Sequence, residues 1–241
     1  MDRVLVALDV ATARDALALA DELRGVVGGF KIGSQLFTST GPEVVRTLVA
    51  AGDQVFLDLK FHDIPNTVAG AVTAAAEMGV WMVNVHAAGG PAMLAAARDA
   101  ADRTAAARGI RRPLVVAVTV LTSLDAEALR ALGIASDPAE QVVRLASMAY
   151  AAGLDGVVAS SHEVSAIRQA CGNDFVVVTP GIRGPEAARG ADDQRRTATA
   201  ASALSAGSSY LVIGRPITAA ADPRAAAERI ATEIAAARRV S

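Results

Sequence analysis

The chain carries 23 Lys and Arg residues, yet only two of them are lysines, Lys31 and Lys60. Each stands near an aspartate at the end of a short apolar run. Lys60 follows Asp58 in Phe56-Leu57-Asp58-Leu59-Lys60, and Lys31 stands near the end of a run that would neighbour the one leading into Asp9. If residues 56–60 form a strand, its period of two puts Asp58 and Lys60 on one face, with Cα atoms about 6.6 Å apart. Leu57 and Leu59 then face the other way. A buried charge is costly unless paired, so a purely structural ion pair is one reading. Arginine would serve such a pair better, because its planar fork matches a carboxylate, and the other 21 cationic positions are all arginine. Lysine can release a proton, whereas arginine in practice cannot. Two lysines among aspartates therefore point to proton transfer within an alternating charge network, the setting in which perturbed catalytic groups are found.

The elements that must position these groups follow from the apolar pattern. Eight runs rich in β-branched residues recur: Val4–Leu8, Phe30–Ile32, Gln54–Lys60, Met82–His86, Leu114–Val120, Gly156–Ala159, Phe175–Thr179 and Tyr210–Ile213. An Ala-rich helical stretch follows each. Thr12 and Pro42 read as helix starts, and Gly25 and Gly52 lie just past helix ends. Most runs are continuous rather than alternating, as strands buried on both faces should be. Eight strand–helix units in 241 residues predict a single (β/α)8 TIM barrel domain spanning residues 1–241. The rival, a doubly wound open sheet, would usually bring a glycine-rich turn after the first strand, and Leu8-Asp9-Val10-Ala11-Thr12 has no glycine. In such barrels the site lies at the C-terminal strand ends. Those ends carry Asp9, Lys31, Asp58, Lys60, His86, Thr122, Ser160, Thr179, Pro180, Gly214 and Arg215. The long stretch from Pro180 to Arg196, rich in Gly, Arg and Asp, reads as a functional loop.

Composition excludes several classes. The formal net charge is −2 and the pI about 5.9, so nothing favours nucleic acid or an anionic membrane surface as partner. Hydrophobic residues make up 52% and aromatics 3%, which predicts an aliphatic core and excludes disorder. A single cysteine, Cys171, excludes an internal disulfide framework and fits a reducing compartment. The N-terminus lacks the basic start and apolar run of a secretory signal, and no stretch reaches the ~20 apolar residues of a membrane span. A soluble cytoplasmic protein is expected. His86 and His62 read as structural, His162 and Cys171 fall on an expected helix, and Phe30, Phe56, Trp81 and Phe175 read as packing. Arg111-Arg112 and Arg238-Arg239 are expected at the solvated surface.

The ten residues Asp58-Leu59-Lys60-Phe61-His62-Asp63-Ile64-Pro65-Asn66-Thr67 resemble the signature of the orotidine 5'-phosphate decarboxylase family. The resemblance extends to Leu8-Asp9, Phe30-Lys31, Leu121-Thr122-Ser123, Thr179-Pro180-Gly181-Ile182-Arg183, Asp193-Gln194 and Ile213-Gly214-Arg215-Pro216, in order along essentially the whole chain. It implies decarboxylation of orotidylate to uridylate, the last step of de novo pyrimidine nucleotide synthesis, with no cofactor and no metal. It assigns Lys60 as proton donor, Asp58 as the group set against the substrate carboxylate, and Lys31 with Asp9 to the array and the ribose hydroxyls. Thr122 would face the pyrimidine edge, Pro180 would contact the substrate, and Arg183, Gln194, Gly214 and Arg215 would grip the phosphate. The resemblance further implies a homodimer in which Asp63 and Thr67 complete the partner's site, although Asp63 could instead cap its own following helix.

Two rivals share the fold. A Mg2+-dependent sugar-phosphate decarboxylase or aldolase has a similar Asp-x-Lys-x-x-Asp spacing. It needs oxygen ligands around a dication, which two ammonium groups in the same mouth disfavour. A catalytically dead phosphate-binding barrel would not require every expected catalytic residue, and all are present.

Overall fold

The structure is a computed structural model that describes residues 1–183 and 198–238. Eight parallel strands close into a barrel in chain order: β1 (Val4–Ala7), β2 (Gly29–Gly33), β3 (Val55–Phe61), β4 (Met82–His86), β5 (Leu114–Val118), β6 (Gly156–Val158), β7 (Val176–Thr179) and β8 (Tyr210–Ile213). These are the eight expected runs, their ends moved by no more than two residues. Around them lie α1 (Ala13–Leu23), α2 (Ser34–Thr40), α3 (Glu43–Ala50), α4 (Pro65–Glu77), α5 (Gly90–Arg108), α6 (Ala126–Ala131), α7 (Pro138–Ala151), α8 (Val164–Cys171), α9 (Ala200–Ser205), α10 (Arg215–Thr218) and α11 (Pro223–Arg238).

Local chemistry explains the helix boundaries. The Thr12 hydroxyl accepts the Asp15 N–H at 3.1 Å and opens α1, while Pro42 immediately precedes α3. Gly25 and Gly52 follow α1 and α3. His162 departs from expectation: it sits in a turn before α8. Arg112 departs as well. Instead of solvating freely, it forks onto Asp155 through two 2.7 Å bonds, and Asp155 also accepts the Val115 N–H at 2.8 Å. That clip ties the start of β5 to the approach to β6, while Arg111 is exposed. Arg239 lies outside the described residues.

Strand periodicity sorts the core into two layers. In β1 and the residue after it, Val4, Val6 and Leu8 pack outward against the helices, and Leu5 and Ala7 pack inward. The inner layer is completed by Phe56, Met82, Val116, Val178 and Val212. Trp81 meets Tyr210 edge-on at 4.9 Å where β4 and β8 begin. Side chains thus fill the middle of the barrel axis, and a cavity opens above them at the C-terminal ends. Among the described residues, no helix is long and apolar enough to cross a membrane.

Beyond β4, His86 caps a short 3-10 turn (Ala87–Gly89), its Nδ1 accepting the Ala88 N–H at 3.4 Å, and its ring stacks on His62 at 5.2 Å. Burial, then the charges of His62 and Lys60, hold its imidazole below the ordinary histidine range.

Two expectations about stability follow. A Cβ on Gly156 would stand 2.1 Å from the Val176 carbonyl oxygen. Gly156→Ala should therefore cost about 2 kcal/mol or more, read as a lowered urea midpoint, and an unchanged midpoint would refute this close approach. The lowered pKa of His86 means that the unfolded chain takes up its proton first on acidification. Its contribution is complete above about pH 6.5 and is lost as the pH falls toward the folded value. His86→Asn should accordingly lose less stability between pH 7.5 and 5.5 than the unaltered protein; an identical loss in both would remove the assignment.

Candidate active site

A cavity of about 260 Å3 opens at the C-terminal ends of the strands. Three consecutive strands deliver its charges. Asp9 lies just beyond β1, held where the Leu8 N–H donates to the Lys31 carbonyl at 3.0 Å. Lys31 pairs in register with Ala7, and Asp58 with Gly33. The Lys31 ammonium lies 3.0 Å from Asp9 Oδ1 and 3.5 Å from Asp58 Oδ2, and the Lys60 ammonium 2.7 Å from Asp58 Oδ1. The result is the alternating row Asp9–Lys31–Asp58–Lys60. Its middle is buried, with the Lys31 and Asp58 side chains 10% and 14% exposed, whereas Lys60 and Asp9 at the ends are 39% and 53% exposed. Each buried charge has an opposite charge on either side, which offsets its desolvation. Gly33 makes room for this row: a Cβ there would stand 2.8 Å from Lys31 Nζ and 3.3 Å from Asp9 Oδ1.

Lys60 reaches the cavity by a route that a regular strand does not provide. β3 and β4 pair as Phe56↔Met82 and Leu57↔Val83, then resume at Phe61↔Val85. Two more residues are accommodated on β3 than on β4, and Lys60 takes φ 53°, the left-handed region. Asp58 and Lys60 do share the mouth, as expected from their spacing, but through a bulge rather than an unbroken period of two. The Lys60 N–H donates to Asn84 Oδ1 at 2.8 Å, and Asn84 Nδ2 donates to Asp58 Oδ1 at 2.7 Å. Asn84 has no exposed surface. Neither Asn84 nor Gly33 was expected at the site. The legible signal for Asn84 is one amide in the otherwise apolar middle of a buried strand, since a buried amide must find partners.

The remaining expected residues take different places. Thr122 and Pro180 line the cavity opposite the charges, beside an apolar wall that includes Phe56, Val118 and Val212. Gly214 follows β8 as the N-cap of α10 and Arg215, exposed, begins that helix; neither lines the cavity, and the Arg183 N–H donates to the Ala198 carbonyl. Gln194 lies outside the described residues, as does most of the stretch from Pro180 to Arg196. Asp63 and Thr67 are exposed and do not line this cavity. Asp63 accepts the N–H of its neighbour Ile64 at 2.6 Å, and α4 has no side-chain cap, so the alternative role for Asp63 as helix cap is not taken up. His86 and His62 are engaged with each other, as expected of structural histidines.

A larger cavity, about 1170 Å3, opens at the opposite end of the barrel, and it is a poor place for chemistry. Its most prominent cation, Arg168, is spent on the carbonyls of Gly172, Asn173, Phe175 and Gly207. Of these two cavities, the smaller is the one that brings carboxylates and lysine ammonium groups together. No group of three or more His, Cys, Asp or Glu side chains among the described residues could hold a metal.

Comparison with known proteins agrees with this geometry. Residues 2–230 match the model of the orotidine 5'-phosphate decarboxylase / HUMPS family. The chain is 57% identical over 234 residues to the orotidine 5'-phosphate decarboxylase of Moorella thermoacetica, covering 97% of this chain and 92% of the relative. It is 56% identical over 235 residues to that of Halorhodospira halophila, covering 98% and 97%. The crystal structure of orotidine 5'-phosphate decarboxylase from Lactobacillus acidophilus superposes with a TM-score of 0.84 at 40% identity, covering 96% of this chain and 98% of that one. A closed barrel, an alternating Asp–Lys row at its mouth and near-full-length matches place this chain in the orotidine 5'-phosphate decarboxylase / HUMPS family.

Proposed function

We infer that this chain decarboxylates orotidine 5'-phosphate to uridine 5'-phosphate in pyrimidine biosynthesis, with Lys60 as the proton donor. The observation that carries the reading is the row Asp9–Lys31–Asp58–Lys60 in a chain of this family. Loss of CO2 leaves the bonding electron pair on a ring carbon that cannot delocalise it. A cation must meet that charge, and a proton must follow. The Lys60 ammonium supplies both, and the resulting amine regains its proton from solvent. Held 2.7 Å from Asp58, at one of the two partly exposed ends of the row, it points a preorganised charge at the place where negative charge develops.

Asp58 faces the substrate carboxylate in this reading. Two like charges 4 Å apart at an effective dielectric of 20 repel by about 4 kcal/mol, roughly three powers of ten in rate. That is useful but smaller than the stabilisation a preorganised cation can give, so Lys60 carries the larger share. Lys31 and Asp9 hold the row and the ribose hydroxyls, Thr122 faces the pyrimidine edge, and Pro180 contacts the substrate. Arg215, the Gly214 backbone and Arg183, with Gln194 from beyond the described residues, grip the phosphate. That remote binding energy orders the site for the chemical step. The reaction calls on no cofactor or metal, and the protein works in the cytoplasm.

Asp63 and Thr67 are exposed on their own subunit, and Ile64 between them is 66% exposed. They serve the site of a second copy in a two-fold homodimer with two shared sites.

The chemistry is tested by following the ultraviolet change from orotidylate to uridylate. Lys60→Ala should abolish turnover while substrate binding persists. Lys60→Arg should be nearly as inactive, because it keeps the charge and not the transferable proton. Near-normal turnover by the Arg variant would overturn the proton-donor role. The assembly is tested by mixing two nearly inactive proteins, Lys60→Ala and Asp63→Ala. Random reassortment makes half the dimers mixed, each with one intact site of two, so activity should recover to roughly a quarter of normal. Continued inactivity after verified subunit exchange would exclude the shared site.

A further inference from the structure

Asn84 stands in the middle of β4, between Val83 and Val85, wholly shielded from solvent and outside the lining of the cavity. Both ends of its amide are nevertheless used on the charged row. Its Oδ1 accepts the Lys60 N–H at 2.8 Å, and its Nδ2 donates to Asp58 Oδ1 at 2.7 Å, the oxygen that also holds the Lys60 ammonium at 2.7 Å. One side chain therefore ties the backbone of Lys60 to the carboxylate that aims its ammonium.

The backbone it holds is one that needs holding. Among the described residues, Lys60 is the non-glycine residue with positive φ, at 53°. Side-chain-bearing residues leave that region unless their surroundings impose it. The shift between β3 and β4 takes Lys60 out of the regular ladder, and the Asn84 carbonyl oxygen accepts its N–H instead. A primary amide here accepts from Lys60 and donates to Asp58 at once while adding no charge to a balanced row at any pH.

We propose that Asn84 is a positioning residue for the decarboxylation. It clamps Lys60 in the left-handed conformation and orients Asp58, so that the ammonium faces the reacting carbon. The proposal rests on the reading of Lys60 as proton donor.

Two variants test it, beginning with Asn84→Ala. Its kcat for orotidylate should fall about 100-fold, as expected for a reacting group displaced by about an ångström, while KM stays within about threefold because phosphate and ribose contacts are untouched. Its crystal structure should show Lys60 out of the left-handed region and its ammonium drawn away from Asp58. Asn84→Asp is nearly isosteric, which guards against misfolding, and adds a pH readout. Charged, the new carboxylate accepts from Lys60 but repels Asp58; protonated, it restores the missing donor. It faces Asp58 and Lys60 on β3 and Lys31 on β2, with Asp9, His62 and His86 beyond. Its kcat relative to the unaltered protein should rise at least about tenfold from pH 8 to pH 5.5, once its proton returns. The clamp is overturned if Asn84→Ala keeps kcat within threefold, if Lys60 stays near φ 53° on Asp58 in that variant, or if the Asn84→Asp ratio does not change with pH. Turnover by Lys60→Ala would instead defeat the proton-donor reading, and the Lys60 geometry in Asn84→Ala would still decide the clamp.

Discussion

The Asp58 carboxylate is the group on which the rest of the site depends. Its Oδ1 takes the Lys60 ammonium and the Asn84 amide, each at 2.7 Å, and its Oδ2 lies 3.5 Å from the Lys31 ammonium. An anion this far from water is tolerable because donors surround it. The converse also holds: two ammonium groups can share one barrel mouth because an anion lies between them. Take that anion away and the cations repel each other in a poorly solvated space. Displacement of one ammonium then becomes the relief. The row is thus a mutual arrangement in which no member is placed independently.

The barrel makes such an arrangement rigid. Asp9, Lys31 and Asp58 come from the ends of three neighbouring strands in fixed parallel register, and the closed sheet leaves none of those strands an edge from which to slip. Beneath them, Phe56 and Met82 with their inner-layer neighbours fill the axis, so the array can be approached only from the C-terminal end. Glycine at position 33 gives the Lys31 ammonium its room. Arg183, Gly214 and Arg215, proposed to meet the phosphate, follow β7 and β8 and do not line the cavity. In the proposed mechanism that separation lets binding energy be gathered far from the reacting carbon while the charges stay where they are.

Much of this was legible in the residues. The eight apolar runs and the helices between them announce themselves because strand and helix periodicities are local properties, and continuous β-branched runs are what two-sided burial requires. Thr12 as cap and Gly25 and Gly52 as terminators are equally local. The two lysines beside aspartates stand out because every other cation is arginine, so their chemistry can be argued without coordinates. Arg112 was misjudged for the opposite reason: its partner Asp155 lies 43 positions away, and nothing near it in the chain betrays the pairing.

The sequence by itself therefore determined the fold class, the end of the barrel that gathers the charged row, and the identities of its four residues, since each rests on residue type and short-range spacing. Only the tertiary structure decided how those charges meet. The left-handed backbone at Lys60, the bridge through Asn84 and the clearance at Gly33 arise where β3 meets β4 and where β2 approaches the end of β1. Such features are set by the register between strands some 25 residues apart. A register of that kind is fixed by closing the barrel, and no local pattern encodes it.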